Sequence, residues 1–296
     1  MKTLINGRWT DRKEEKQSND GSFKRKDTEF RNWITPDGSP GETGVGGFKA
    51  ESDRYHLYVS LACPWAHRTL IFRKLKNLEP HIGVSIVHPI MLENGWEFRT
   101  DFSQCTGDQI LGKNSIFEVY LAADKNITSR ASVPVLWDVK QATIVSNESS
   151  EIIRMFNSAF EQISVNELDL YPRTLRTEID ELNAMIYENV NNGVYKTGFA
   201  TSQKSYTESF MELFECLEEL EQRLSITRFL LGDKITEADW RLFTTLVRFD
   251  AVYVGHFKCN KKRLCDYPNL WGYTRELYQQ PGVSETVDLE HIKHHY

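Results

Sequence analysis

The sequence predicts an α/β half followed by an all-helical half, and three observations predict it. Aromatic and β-branched runs at 55–60, 82–90, 133–138 and 142–146 read as strands, and all fall before residue 150. Between the first two lies a cysteine–proline junction, Cys63–Pro64, that opens an amphipathic run. From residue 172 onward apolar residues recur at helical spacing in successive segments, and the strand pattern does not return. A chain of 296 residues, 40% of them hydrophobic, is long enough to fill two cores, so two domains are expected.

Residues 1–50 are polar and glycine-rich and read as an irregular extension. Gly44, Gly46 and Gly47 lack the strand–turn–helix surroundings of a phosphate loop and read as coil. An α/β domain follows over 51–162. "YHLYVS" is its first strand. Pro64 suits the first turn of a helix, where its missing N–H costs nothing, and Ala66, Leu70, Ile71, Leu75 and Leu78 repeat behind it. His67, Arg68, Arg73, Lys74 and Lys76 fill the other face. "IGVSIVHPI" is the second strand; after a long insertion, "VPVLWD" and "ATIVS" pair as a hairpin, and a helix over 147–160 starts with Ser146 or Asn147 as its cap.

The helical domain is expected over 163–296. Leu175, Ile179, Leu182, Ile186 and Val190 share a face in 172–193, as do Phe210, Leu213, Phe214, Leu217, Leu220 and Leu224 in 205–225. "TEADWRLFTTLVRFDAVY" is a third helix, and the segment 267–282 opens on Pro268 and stops at Pro281–Gly282.

Composition excludes several classes. Net charge is −6 with no long basic block, which argues against nucleic acid. No stretch approaches the apolar length of a membrane helix, and the first ten residues lack a signal-peptide core, so a cytoplasmic location is expected. The five cysteines are not spaced as a disulfide framework or a zinc knuckle, and no metal site is expected. Four of them read as inert thiols. Cys63 differs: a helix N-terminus presents unpaired N–H groups and a positive dipole, which favour thiolate. Ala66 stands where a resolving cysteine would, so Cys63 must form its mixed disulfide with an outside thiol.

The βαβ–ββα order with cysteine at the first helix start resembles a thioredoxin-like domain, and the helical domain behind it resembles a glutathione transferase. "CPWAHR", "NGW", "SNES", "NNGVYKTGFA", "RFDAVYVGHFKC" and "HIKHHY", in that order and across the whole chain, closely resemble the glutathionyl-hydroquinone reductases, or Xi-class transferases. The resemblance implies reduction of glutathionyl-hydroquinones through a Cys63–glutathione disulfide resolved by a second glutathione. It implies a homodimer with glutathione as co-substrate, and a cis Pro134. Ser149 and Glu148 would hold the γ-glutamyl end, Val133 the cysteinyl backbone, and Trp96 and Arg130 the glycyl end. Tyr195 in a loop after one helix, Tyr253 at the end of another and Tyr296 at the terminus would converge near Cys63 and line the quinone pocket. "ITEADW" matches a capping box of Thr236 and Asp239, with Ile235 packing on Trp240. Members of the family usually continue past the position of Tyr296. Taken singly, Glu148 and Ser149 read as caps, Arg130 as a solvated charge and Tyr253 as core; the ordered set of motifs favours the site. Two competing functions use the same chain: an Omega-like thioltransferase or dehydroascorbate reductase, and a non-catalytic interaction protein. The second has no need of Cys63, Glu148 or Ser149.

Overall fold

A computed structural model describes residues 2–11, 20–25 and 27–296, which divide into two units. The first holds the described residues within 1–13, Asp27–Leu168 and Glu285–His295. It opens with an antiparallel hairpin, β1 (Lys2–Ile5) and β2 (Arg8–Asp11), where an irregular extension is expected. Asn6 and Gly7 make its turn with φ of +49° and +73°, the two-residue geometry that Asn-Gly favours. β1 is held in place by paired bonds between Leu4 and Ser129, at 3.0 and 3.1 Å. Asn-Gly was the available signal for this hairpin.

The main sheet comprises β3 (Tyr55–Val59), then, after helix α1 (Pro64–Leu75), β4 (Ile82–Ile86), and, after helix α2 (Ile116–Ala123), β5 (Val135–Asp138) and β6 (Thr143–Ser146). Its order is β4–β3–β5–β6, with β3 parallel to β4 and the other pairs antiparallel. All five residues of β3 are buried, which is why it reads as a continuous rather than an alternating run. α2 lies inside the expected insertion, opened by a capping box of Ser115 and Glu118. The predicted helix after β6 is α3 (Ser149–Ser158), but its cap is Glu148 rather than Ser146 or Asn147. A single turn, α4 (Glu161–Ser164), follows.

On the face of α1 opposite the apolar stripe, His67, Arg68 and Lys76 are buried. Lys76 Nζ donates to the carbonyls of Asn166 (3.2 Å) and Leu168. Residues 30–32 are no loose coil. Asn32 N donates to Val145 O (2.9 Å) and Asn147 N to Phe30 O (3.2 Å), so this segment covers the β6 edge.

The second unit holds the described residues within 14–26, Asp169–Ser284 and Tyr296. It is helical: α5 (Arg176–Ile186), α6 (Gly193–Phe199), α7 (Gln203–Leu224), α8 (Glu237–Arg248) and α9 (Pro268–Tyr278). α5 and α8 each continue into a widened π turn, Tyr187–Asn191 and Phe249–Tyr253. The buried Asn191 amide, in the first of these turns, ties it to α8 by donating to Arg241 O (3.0 Å) and Thr245 Oγ1 (2.8 Å). α6 has no counterpart among the predicted helices, because it carries two glycines in seven residues. Gly198 is required there: a Cβ would lie 2.4 Å from Cγ of Phe257. The predicted stripes on α5 and α7 are buried except at their first members, Leu175 and Phe210, which are half-buried, and α8 opens on the expected capping box. The chain ends with α10 (Leu289–His295), which packs in the first unit rather than with the other helices. Lys74 pairs with Glu285 (2.7 Å) and His67 Nε2 meets Thr286 Oγ1 (2.8 Å), tying this tail to α1.

Candidate active site

Cys63 caps α1, with extended backbone (φ −76°, ψ 121°) and its N–H donating to Ser60 O at 3.1 Å. Pro64 at the first helical position has no N–H to leave unpaired. The Cys63 thiol donates to Val133 O at 3.6 Å, and the Val133–Pro134 peptide is cis. Ala66 is fully buried. None of the five cysteines is in a disulfide. Burial pushes the Cys216 and Cys259 thiols up to about 12 and that of Cys105 up to about 11, which keeps them protonated at neutral pH.

The N-terminus of α3 is the second element. The half-buried Glu148 carboxylate accepts from Ser150 N (3.0 Å) and Ser150 Oγ (2.8 Å). Ser149 is buried, and its hydroxyl accepts from Arg68 at 3.4 Å. Arg68 lies over the Trp65 ring at 4.6 Å, so a buried cation from α1 stands beside the start of α3. Sequence reasoning placed Arg68 on the face of α1 opposite the apolar stripe; nothing local signals its burial. A hydroxyl, a helix N-terminus and a cation together suit an anion such as a carboxylate, and a carboxylate such as that of Glu148 suits a cation.

Trp96 is buried, and its ring stacks on His295 (4.7 Å between centroids, 25° between planes). His295 Nδ1 in turn sits 2.8 Å from Pro89 O. Arg130 is half-buried, with Ser129 Oγ donating to its carbonyl at 3.1 Å. The described contacts thus join Cys63 with Val133 and Arg68 with Ser149. Trp96 is packed on the C-terminal helix, a role the sequence did not suggest.

In the helical unit the three predicted tyrosines converge. Tyr195 lies on α6, not in the loop expected from sequence, and its hydroxyl is 2.5 Å from that of Tyr296. Tyr253 ends the π turn after α8 and reaches the Tyr296 hydroxyl at 3.5 Å. Burial pushes the Tyr253 and Tyr296 phenols well above their usual range, so they remain neutral donors. Arg25 lies 5.1 Å over the Tyr195 ring and donates to Asn192 Oδ1 at 3.1 Å.

Among the described residues no helix is long and apolar enough to cross a membrane, and no cluster of His, Cys, Asp or Glu is arranged to hold a metal ion. The glutathione S-transferase N-terminal domain family matches residues 62–159, and the glutathione S-transferase C-terminal domain family matches 203–276. The chain is 58% identical over 296 residues to the glutathionyl-hydroquinone reductase YqjG of Escherichia coli, covering 100% of this chain and 90% of that protein. The glutathione-bound structure of YqjG superposes with a TM-score of 0.92 at 56% identity, over 99% of this chain and 90% of that one. The glutathionyl-hydroquinone reductase PcpF of Sphingobium chlorophenolicum is 47% identical, over 100% of this chain and 91% of that protein. A Xi-class transferase from Natrialba magadii gives a TM-score of 0.94 at 46% identity, over 100% and 89% of the two chains. With identity at that level over its whole length, the chain belongs to the glutathionyl-hydroquinone reductases, the Xi class of the glutathione transferases.

Proposed function

We propose that the protein reduces glutathionyl-hydroquinones to hydroquinones at the expense of glutathione, through a mixed disulfide on Cys63. The observation that carries this reading is the Cys63 sulfur at the start of α1, 3.6 Å from the Val133 carbonyl, with Ala66 where a resolving thiol would stand. The Val133 carbonyl, which now takes the thiol proton, is turned to the backbone N–H of the substrate's cysteinyl residue. The Cys63 sulfur is then left to the α1 amides, which favour thiolate. Ser149 and the α3 N-terminus take the γ-glutamyl carboxylate, Glu148 the amine, and Trp96 and Arg130 the glycyl end.

The Cys63 thiolate attacks the thioether sulfur. An S–S bond forms, the aryl C–S bond breaks, and its electron pair passes to the ring carbon, which takes a proton and leaves as hydroquinone. A second glutathione thiolate attacks the glutathione sulfur of the Cys63 disulfide, giving glutathione disulfide and restoring the Cys63 thiolate. Carbon leaves sulfur reluctantly, so the phenolic oxygens need donors as charge builds on them. Tyr195, Tyr253 and Tyr296 are assigned that task. The reaction belongs in the cytoplasm, where thiols stay reduced. The working form is assigned as a homodimer, which a sedimentation mass of one 34.4 kDa chain would overturn.

One assay on two substrates tests the roles. Cys63→Ser should lose turnover of both a glutathionyl-hydroquinone and a simple glutathione mixed disulfide, by about a thousandfold or more. Wild type should carry a single glutathione adduct, mapped to Cys63. Tyr253→Phe should slow hydroquinone release about tenfold or more and spare the mixed disulfide, which has no phenol to hold. Turnover surviving in Cys63→Ser removes the mechanism; equal loss on both substrates in Tyr253→Phe makes the tyrosine structural.

A further inference from the structure

Glu151 is the third residue of α3, one turn inside the helix that begins at Ser149. Its carboxylate is buried. A second carboxylate docking at that helix end would meet it, and two anions on one helix N-terminus repel. The chain answers from 120 residues earlier in sequence. Arg31 Nε donates to Glu151 Oε2 (2.8 Å), and its terminal nitrogen donates to Oε1. This is a two-pronged pair. The bond to Glu151, with the charges of Glu151, Glu148 and Asp27, holds the guanidinium more firmly protonated than usual against its partial burial.

The segment that carries Arg31 is built to place it. Phe30 N donates to Asn147 Oδ1 (3.3 Å) and Asn147 N to Phe30 O (3.2 Å), so Arg31 is anchored directly beside the residue preceding Glu148. Thr43 Oγ1 donates to Arg31 O at 2.6 Å, and Trp33 Nε1 donates to Thr43 Oγ1 at 2.8 Å. Gly44, one of the glycines that reads from sequence as coil, has φ of +74°. A Cβ there would lie 2.3 Å from Asn32 Oδ1 and 2.8 Å from Arg31 O. Its role is this close approach over Arg31.

We propose that Arg31 is a positioning residue for the γ-glutamyl subsite: by neutralising Glu151 it keeps the α3 N-terminus receptive to the substrate's carboxylate and leaves Glu148 to the amine. The inference rests on the assignment of Glu148 and Ser149 made above.

Calorimetric titration of the full chain with glutathione, alongside steady-state kinetics, tests it. Arg31→Ala should raise the Kd for glutathione about tenfold while kcat at saturating glutathione holds within about twofold. Adding Glu151→Gln to Arg31→Ala should return the Kd to within about twofold of wild type, because the uncompensated anion is gone although the pair is not restored. Arg31→Lys should keep most of the affinity. A double variant as weak as Arg31→Ala alone overturns the proposal and makes the segment a purely structural tie. So does an unchanged Kd in Arg31→Ala while Ser149→Ala weakens binding. If neither Arg31→Ala nor Ser149→Ala changes the Kd, the γ-glutamyl assignment itself falls. Should Arg31→Ala not fold, Glu151→Gln alone decides: affinity equal to or tighter than wild type supports the proposal, and a tenfold loss overturns it.

Discussion

Helices α3 and α8 start from the same local pattern and use it in opposite ways. Each has a polar cap and an acid at its third position: Glu148 and Glu151 in α3, Thr236 and Asp239 in α8. In α8 every bond turns inward. Asp239 is fully buried and accepts from Thr236 N (2.7 Å), Thr236 Oγ1 (2.9 Å), Leu230 N (3.0 Å) and the Tyr273 hydroxyl (2.9 Å). Burial pushes its carboxyl upward, and those four bonds oppose the push. In α3 the cap is half-buried and its carboxylate accepts from Ser150 two residues on, while the acid at the third position is matched by a distant arginine. A capping pattern marks where a helix begins. Burial and the supply of internal partners decide whether that beginning is a joint of the core or a place for a ligand.

The contrast breaks most visibly at Asp239. Asp239→Ala strands four donors in the core and should cost about 3–5 kcal/mol, read as a lower urea midpoint. The fraction still folded should keep the glutathione KM and hydroquinone turnover of wild type. A shifted KM with an unchanged midpoint would make α8 a functional terminus and erase the distinction. Ser149→Ala is the mirror experiment. Removing a hydroxyl from a charged ligand should weaken glutathione binding by about 1.5–3 kcal/mol. Its urea midpoint should move far less than that of Asp239→Ala. The opposite ranking would assign α3 to the core.

How much of this was readable in advance follows from range. The start of α1 was legible because Pro64 and the apolar spacing behind it are local, and the α8 cap because Thr236 and Asp239 are three residues apart. The Asn6–Gly7 hairpin was equally local and was missed among its polar neighbours. The cap of α3 was misplaced by one or two residues, because Ser146 and Asn147 are preferred capping residues and Glu148 is not. Other features had no local signal. Nothing local tells that Arg68 and His67 will be buried, Arg68 against Ser149 of α3 and His67 against Thr286. The Arg31–Glu151 pair spans 120 residues, and α10 sits in the first unit although it ends a run of helices. The cysteine, the α3 terminus and the tyrosines were found as motif positions. That the three tyrosine hydroxyls meet was expected from the motif set, and the fold supplied the distances.

The smallest predicted effect asks whether an inward-turned polar group behaves like Asp239 when pH, rather than a mutation, removes its match. His56 is buried in β3, its Nε2 2.8 Å from Ser85 Oγ, and burial pushes its pKa down to about 4. In the unfolded chain the same ring titrates near 6.5. Above that pH both states hold it neutral, and it contributes no pH dependence. As pH falls below 6.5 the unfolded chain takes up a proton that the folded protein refuses until about 4, so stability drains away across that window. At pH 5 the loss from this one group should be about 2 kcal/mol. His56→Gln keeps an amide to bond Ser85 and removes the titration. Wild type should therefore lose about 2 kcal/mol more than the variant between pH 7 and pH 5 in urea unfolding. His88, also depressed by burial, contributes equally to both proteins and cancels in the difference. Parallel losses in wild type and variant would show that the His56–Ser85 pair tolerates the imidazolium.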